Sequence, residues 1–483
     1  MTPRLELMST EMVRLVVEEA MGILENHGIW IEHEEAESLL MEAGATAHAG
    51  RVQIPRALVQ GALRSAPSTI TFWDFAAEDS FTVGSGISHF VPGSAALQIW
   101  DLETMSPRSP VTSDLVNLAR LVDSLGHVSF QSTSIVASDV PESLADRYRL
   151  LIALLYCRKP VITGTFAQDA FCSMQALLEA VRGGPEELAA KPLAMFDCCP
   201  SAPLLWSALT TDALLRAARA RIPAELVSMP MAGATGPVTL AGCVVQHCAE
   251  NLSGVVMHQL AQPGAPISYG GSPGIMDMRH GTTPMGAIET HMIDMANAQV
   301  GRHLGLPTHA YMGLSDSAWP DYQAGAESVL GGVLAMLAGV SIVSGAGMLK
   351  FENRQSLEKL VLDNEFIGAI HRLSRGLELR EQPMAGHLME ALITKGHLLD
   401  HDHTRAWLRK EHYFPGPSVE RRAEPPPERE AGGAHRRALD AVQKTLAAPI
   451  RAIPPPELKT RLIAIMKAEF ARFGASLPAL PEA

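Results

Sequence analysis

A chain of 483 residues with 47% apolar content can bury a substantial core, as one large domain with additions or as two to three smaller ones. Its formal net charge of −13 argues against a surface built to track a nucleic-acid backbone or an anionic membrane. Neither partner is expected.

From Met8 to Ser65 the pattern is helical: Val13, Val16, Val17, Ala20, Met21 and Leu24 share one face, and Leu39, Leu40 and Ala43 another. Glu6, Glu11 and Arg14 interrupt the start, so no secretory leader is expected. Thr69 to Ala95 breaks into short β-rich pieces around Gly84, Gly86 and Gly93, which predicts a hairpin layer against the main domain.

From Ser113 onward strands and helices alternate. Candidate strands are His127 to Thr133, Pro160 to Phe166, Pro192 to Cys198, Ala224 to Met229, Pro266 to Gly270, Pro307 to Met312 and Val340 to Ser344. With an eighth at Ala391 to Thr394, these predict an α/β chain built as a (β/α)8 TIM barrel, a doubly wound open sheet being the alternative. No GxGxxG opens a helix after the first strand, and Gly233-Ala-Thr-Gly236 lacks the Lys-Ser/Thr of a P-loop. Ser328 to Leu349 is uncharged, but its glycines and its change to a Val340-Ser-Ile-Val343 strand predict a buried helix plus core strand rather than a membrane span.

Beyond the barrel come the His-rich stretch His397-Leu-Leu-Asp-His-Asp-His403 and a linker through Glu424-Pro-Pro-Pro427 and Gly432-Gly433. Two amphipathic helices, about 435 to 447 and 456 to 473, close the chain. The expected division is 1–75 for an N-terminal helical region with the start of the β-rich layer, 76–420 for the barrel, and 421–483 for the linker and C-terminal helices. Cysteines at 157, 172, 198, 199, 243 and 248 form no CxxC and read as reduced core thiols of a cytoplasmic protein.

Two predicted βα loops, Gly274 to Gly281 and Leu314 to Gly325, place polar residues on the barrel rim that carries the site in such folds. Thr283 and Pro284 read as the N-cap and first residue of the helix after the first loop, and Tyr322 to Leu337 as the helix after the second. Glu289 and Asp321 suit helix starts, where negative charge meets the positive dipole end. Asp277 and Asp316 lie mid-loop and are functional candidates.

Phe90, Phe166, Tyr269, Tyr311, Trp319 and Tyr322 fall at strand ends or in rim loops. They can cap the core, or form a box attracting a quaternary ammonium at ~0.5–2 kcal/mol per ring. Arg279 or His280 could then grip a carboxylate on the same ligand. The cluster His397, Asp400, His401, Asp402 and His403 offers metal-ligand atoms, but there is no HExxH and such histidines are commonly loop or interface residues. No bound metal is expected.

Several motifs carry a resemblance to a known family. Asp277-Met-Arg-His-Gly281, Glu289, Gln299-Val-Gly-Arg-His-Leu-Gly-Leu-Pro307, Ser315-Asp316, Asp321-Tyr-Gln-Ala-Gly-Ala-Glu327 and Gly236-Pro-Val-Thr-Leu-Ala-Gly242 resemble the trimethylamine methyltransferase superfamily of corrinoid-dependent amine methyltransferases. The similarity continues through Ser356 to Asp363, His401-Asp-His-Thr404 and Tyr413-Phe-Pro415. It implies a barrel that presents a methylated amine to the Co(I) of a separate corrinoid protein, with no tightly bound cofactor of its own, and a homo-oligomer. The founding members carry pyrrolysine around Ser315 to Trp319. This chain has ordinary residues there, which places it with members that lack it and implies glycine betaine or a related quaternary amine as substrate.

On this reading Asp277, Arg279, Tyr311, Asp316 and Tyr322 form the substrate shell, with His280, Trp319, Phe90, Phe166, Glu365 and His397 as further candidates and no catalytic base. Two alternatives stay open: a metal-assisted barrel lyase or hydrolase using His397 to His403 with Asp277 or Asp316, and a non-catalytic betaine-binding or sensing protein.

Overall fold

The computed structural model describes residues 3–101, 103–424 and 433–481. Eight parallel strands form the centre: β1 (His89–Pro92), β2 (Gln131–Ser132), β3 (Val161–Thr163), β4 (Ala194–Cys198), β5 (Ala224–Leu226), β6 (Ile267–Gly271), β7 (Thr308–Tyr311) and β8 (Ile342–Ala346). Each is followed by a helix: α1 (Thr112–Ser124), α2 (Ala145–Tyr156), α3 (Ala170–Arg182), α4 (Ala208–Ala220), α5 (Leu240–Ala261), α6 (Ile288–His303), α7 (Tyr322–Ala338) and α8 (Leu357–Ser374). Strands pair with their neighbours in chain order, and β1 pairs with β8. A single Phe90–Val128 bridge, with the Ser129 N–H donating to the Phe90 carbonyl at 2.8 Å, closes the ring between β1 and β2. The expected (β/α)8 barrel is therefore the fold.

The first barrel strand differs from the expectation. Ala391 to Thr394 lies inside a helix, Met389–Lys395, and the missing strand is β1, within the stretch read as a hairpin layer. That stretch does hold one hairpin, Ile70–Trp73 paired with Ser80–Val83. It plugs the N-terminal end of the barrel, where Phe72 and Phe81 meet Phe130 edge-on at 5.0 and 4.9 Å above Val91, Ile162, Met195 and Ile342.

Helix α5 is buried almost throughout because the helix Thr10–Asn26 lies on its outer side, burying Val13, Val16, Val17, Ala20, Met21 and Leu24 as their spacing predicts. Between the N-terminal helices runs a hairpin, Thr46–His48 with Arg51–Gln53, that the helical reading of Met8 to Ser65 did not contain.

The uncharged stretch Ser328 to Leu349 is the end of α7 followed by β8, as expected, and no helix among the described residues is long and apolar enough to cross a membrane. Helices Gly433–Ala447 and Pro456–Arg472 fold back, the first burying Ala438, Leu439 and Val442 and the second Leu462, Met466 and Phe470. Of the linker, residues 425–432 lie outside the described residues. All six cysteines are free thiols, four of them buried, while Cys172 is exposed rather than in the core.

Candidate active site

At the C-terminal mouth of the barrel lies a cavity of about 400 Å³, bounded by Arg149, Phe166, Asp197, Cys199, Tyr311 and Glu352, with Met229 and Phe351 at its rim. Its inward residues come from strand ends. Asp197 sits in β4 and Glu225 in β5, one step apart across paired strands, so their carboxyls meet inside the barrel. His309, one turn of the pleat below Tyr311 in β7, places Nδ1 3.4 Å from Glu225 Oε1 and bonds Ser344 Oγ through Nε2 at 2.9 Å.

Burial dominates the electrostatics here. It pushes Asp197 up to about 6, raises Glu225 well above the ordinary carboxylate range, raises Glu352 to about 8 and drives His309 down to about 3. Two carboxyls this close in an apolar wall cannot both ionise without cost, so Asp197 and Glu225 act as a pair. Asp197 Oδ1 and Arg149 Nε are sealed from solvent and lack a hydrogen-bond partner within the chain, which leaves them available to a ligand, while Glu225 faces Asp197 and His309 beneath them.

Arg149 projects from α2, a helix buried along its whole length. One guanidinium nitrogen donates to the Thr133 carbonyl, and the guanidinium carbon lies 4.3 Å from the Phe166 ring centroid. Asp146, one turn earlier, accepts the N–H groups of Phe166 and Ala167 at 2.7 and 3.3 Å and so holds that ring in place.

Glu352 is presented by a run of three consecutive non-glycine residues at positive φ, Lys350 (52°), Phe351 (54°) and Glu352 (66°). Strained backbone of this kind persists where surrounding structure enforces it. Here the enforcement is a small rim sheet: Met348–Leu349 pairs with Arg354–Gln355, which pairs with Gln98–Asp101. The Ser94 N–H donates to Glu352 Oε1 at 3.2 Å.

Of the residues singled out in the sequence, Phe166 and Tyr311 line this cavity. The others lie apart from it. Asp277 binds Arg279 at 2.8 Å and His280 at 3.1 Å in a self-contained cluster, with the Arg279 side chain 82% exposed on the outer rim. Asp316 accepts the Met285 and Gly286 N–H groups, both at 2.8 Å, and pins the preceding loop. That pinning delays α6, which begins at Ile288 rather than at Thr283 and Pro284.

Trp319 packs edge-on against Trp100 at 5.1 Å, and Tyr322 is 92% exposed at the start of α7. Phe90 points outward, toward His371 at 5.7 Å, because its neighbour Val91 takes the inward position of the pleat. Glu365 accepts the Tyr413 hydroxyl and the Gly416 N–H, at 3.3 and 2.6 Å, clamping the chain after the barrel. His397 is half-exposed on a loop.

Arg149, Asp197 and Glu225 escaped the sequence reading. The available signal was a carboxylate inside an otherwise apolar parallel strand, Ala-Met-Phe-Asp197-Cys and Ala-Glu225-Leu, since unpaired acids there are costly and rarely structural. The stretch His397 to His403 does not converge on one point. His401 caps the helix Asp402–Glu411 by accepting the His403 N–H, and Asp402 faces solvent beside Arg405.

A closed parallel barrel with a polar-lined cavity at its mouth is the architecture of an enzyme acting on a small molecule. The family model described as trimethylamine methyltransferase (MTTB) matches residues 1–471. The chain belongs to this family and is a methyltransferase. It is 31% identical over 391 residues to the trimethylamine methyltransferase MttB of Desulfitobacterium hafniense, covering 80% of this chain and 79% of that protein. It is 29% identical over 415 residues to a glycine betaine methyltransferase from the same species, covering 86% of each. Among solved structures, the monomethylamine methyltransferase MtmB of Methanosarcina barkeri superposes with a TM-score of 0.53 at 10% identity, over 91% of this chain and 87% of that one, and shares the fold.

Proposed function

We propose that the chain transfers a methyl group from a quaternary amine of the glycine betaine class to a corrinoid carried by a separate protein. The observation that carries this reading is the pairing, within one cavity, of a buried guanidinium with an unpartnered Nε and the buried carboxyls of Asp197 and Glu352. A betaine is complementary to it, with a carboxylate for Arg149 and a cationic head for the acids and the Phe166 and Tyr311 rings.

The corrinoid supplies the nucleophile that accepts the methyl group. In the amine, the carbon–nitrogen bond breaks, its electron pair stays on nitrogen, and a neutral tertiary amine leaves, so no proton need move. The chain's residues orient the methyl group outward and exclude water. Because positive charge on nitrogen disappears along the reaction, fully ionised acids would hold the ground state too tightly. Burial that keeps Asp197, Glu225 and Glu352 partly protonated counteracts this. Half-exposed Phe166, Met229 and Phe351 rim the opening and offer an apolar seat to the carrier protein.

We place the protein in the cytoplasm, which its free thiols suit, and assign it a homo-oligomeric state. Leu377, Ile393 and Leu399 are 96%, 84% and 81% exposed in one chain and offer apolar area to a second copy, to be checked by light scattering of the full chain.

The central test mixes protein, Co(I) corrinoid carrier and a panel of betaines, carnitine, choline and trimethylamine under anaerobic conditions. Demethylated amine should accumulate in step with the visible spectral change of the corrinoid. Binding seen by thermal shift with no demethylated product from any panel member would sink the proposal and leave a sensing role.

A further inference from the structure

Residues 376–414 form an outlying helical segment containing the helices Met389–Lys395 and Asp402–Glu411, neither of which buries a single residue. A segment of this size without an apolar core needs another source of order. Within it, ligand atoms of Glu381, His387 and His403 all lie within 4.8 Å of one another. We propose that these three side chains hold a zinc-type divalent transition metal that staples the segment together, independently of the barrel-mouth chemistry.

The donor geometry separates this from an ordinary ion pair. Glu381 Oε1 is 2.8 Å from His403 Nδ1 and 3.2 Å from His387 Nε2. Yet Oε1 and His403 Nδ1 do not align as acceptor and donor, and both are shut off from solvent without a hydrogen-bond partner. Four-coordinate zinc, with bonds of about 2.0–2.1 Å to nitrogen and oxygen, sets its ligand atoms about 3.3 Å apart. The His387 separation matches that spacing, and the His403 one is shorter and must widen as the metal enters.

The outer support is also present. The other Glu381 oxygen, Oε2, accepts the Trp407 indole N–H at 3.2 Å, which fixes the carboxylate and leaves Oε1 for the metal. The nearest guanidinium, Arg380, is engaged by Glu411 and Glu378 rather than by Glu381. His387 is partly exposed, which leaves a coordination position open to water. The site joins Glu381 to the 3₁₀ turn Gly386–Leu388 and to the helix Asp402–Glu411, spanning the coreless segment.

The test uses full-length, tag-free protein dialysed against chelator and then titrated with zinc. Wild type should retain about one zinc per chain by elemental analysis. Glu381→Gln and His403→Ala should each weaken binding by roughly tenfold or more. Hydrogen exchange across residues 380–412 should slow on zinc addition in wild type and stay unchanged in both variants, while the barrel's thermal unfolding stays the same in all three. Wild type that takes up no zinc, or variants that keep both the metal and the protection, would overturn the assignment. Methyl transfer is not the readout, so the test stands whatever the outcome at the mouth.

Discussion

Asp197 and Glu352 titrate in the folded chain at about 6 and about 8, against ordinary values of 3.8 and 4.5, because burial disfavours their charge. The native state therefore holds more protons than the unfolded state between those limits. Their contribution to stability is full below about pH 4 and is lost as pH rises through 6 and then 8. The urea midpoint should accordingly fall between pH 5 and pH 8.5, and Glu352→Gln should remove the upper part of that fall. The same deprotonation favours a cation, so the KM for a quaternary amine should drop over this window in wild type and flatten in the variant. A KM independent of pH would disconnect these acids from the substrate.

Arg149 supplies a second residue-level prediction. Arg149→Lys keeps a charge but loses the planar fork, and hydrogen bonds to charged groups contribute about 1.5–3 kcal/mol. Glycine betaine should bind roughly tenfold or more weakly by calorimetry, and choline, which has no carboxylate, should be little affected. Equal losses for both ligands would mean that Arg149 serves only to shape the mouth.

At the level of elements, the helix-facing side of the barrel decides what a glycine does. In α7, a Cβ added at Gly331 would come 1.8 Å from the Met312 carbonyl oxygen, whereas one at Gly325 would meet nothing within 4 Å. Gly→Ala in a helix normally gains up to about 1 kcal/mol. Gly325→Ala should thus raise the melting temperature slightly, and Gly331→Ala should lower it, because the backbone of β7 cannot give way.

Seven of the eight barrel strands were legible because short strand-like runs alternate regularly with helix-length segments. Strand β1 was not, since His89-Phe-Val-Pro92 is short and flanked by glycine-bearing turns that resemble a hairpin. Ala391 to Thr394 imitated a strand by local composition alone. Rim-loop charges such as Asp277 and Arg279 announced themselves in the sequence, yet they neutralise each other on the surface. The residues that converge on the cavity come from strands far apart in the chain, and their proximity is a property of barrel closure.

For the whole molecule, the C-terminal helix Pro456–Arg472 is bound to the barrel by charge as well as by packing. Arg147, with a fully buried side chain, lies 3.0 Å from Glu469 Oε1 and also pairs with Asp169, while Arg472 reaches both Glu469 and Asp169 at 2.7 and 2.9 Å. Phe470 packs on Tyr148 at 5.9 Å in the same contact. Glu469→Ala leaves Asp169 to Arg147, so the expected loss is about 1.5–3 kcal/mol in urea denaturation rather than the larger cost of a wholly orphaned charge. A loss below ~0.5 kcal/mol would show that the Arg147–Glu469 contact adds little to the apolar packing of the helix.

The seam of the barrel bears on how the chain is made in a cell. Strand β1 pairs along its length with β8 and touches β2 through one bridge, so its main partner is translated about 250 residues later. At ~5–20 residues per second, His89 to Pro92 would wait on the order of 10–50 s on the ribosome before that partner exists. During this interval the hairpin Ile70–Trp73/Ser80–Val83, made just before β1, and β2, made soon after it, are its available neighbours, and the hairpin's Phe72 and Phe81 side chains cover Val91. The plug at the base of the barrel is thus placed to cover a strand whose main partner is made late.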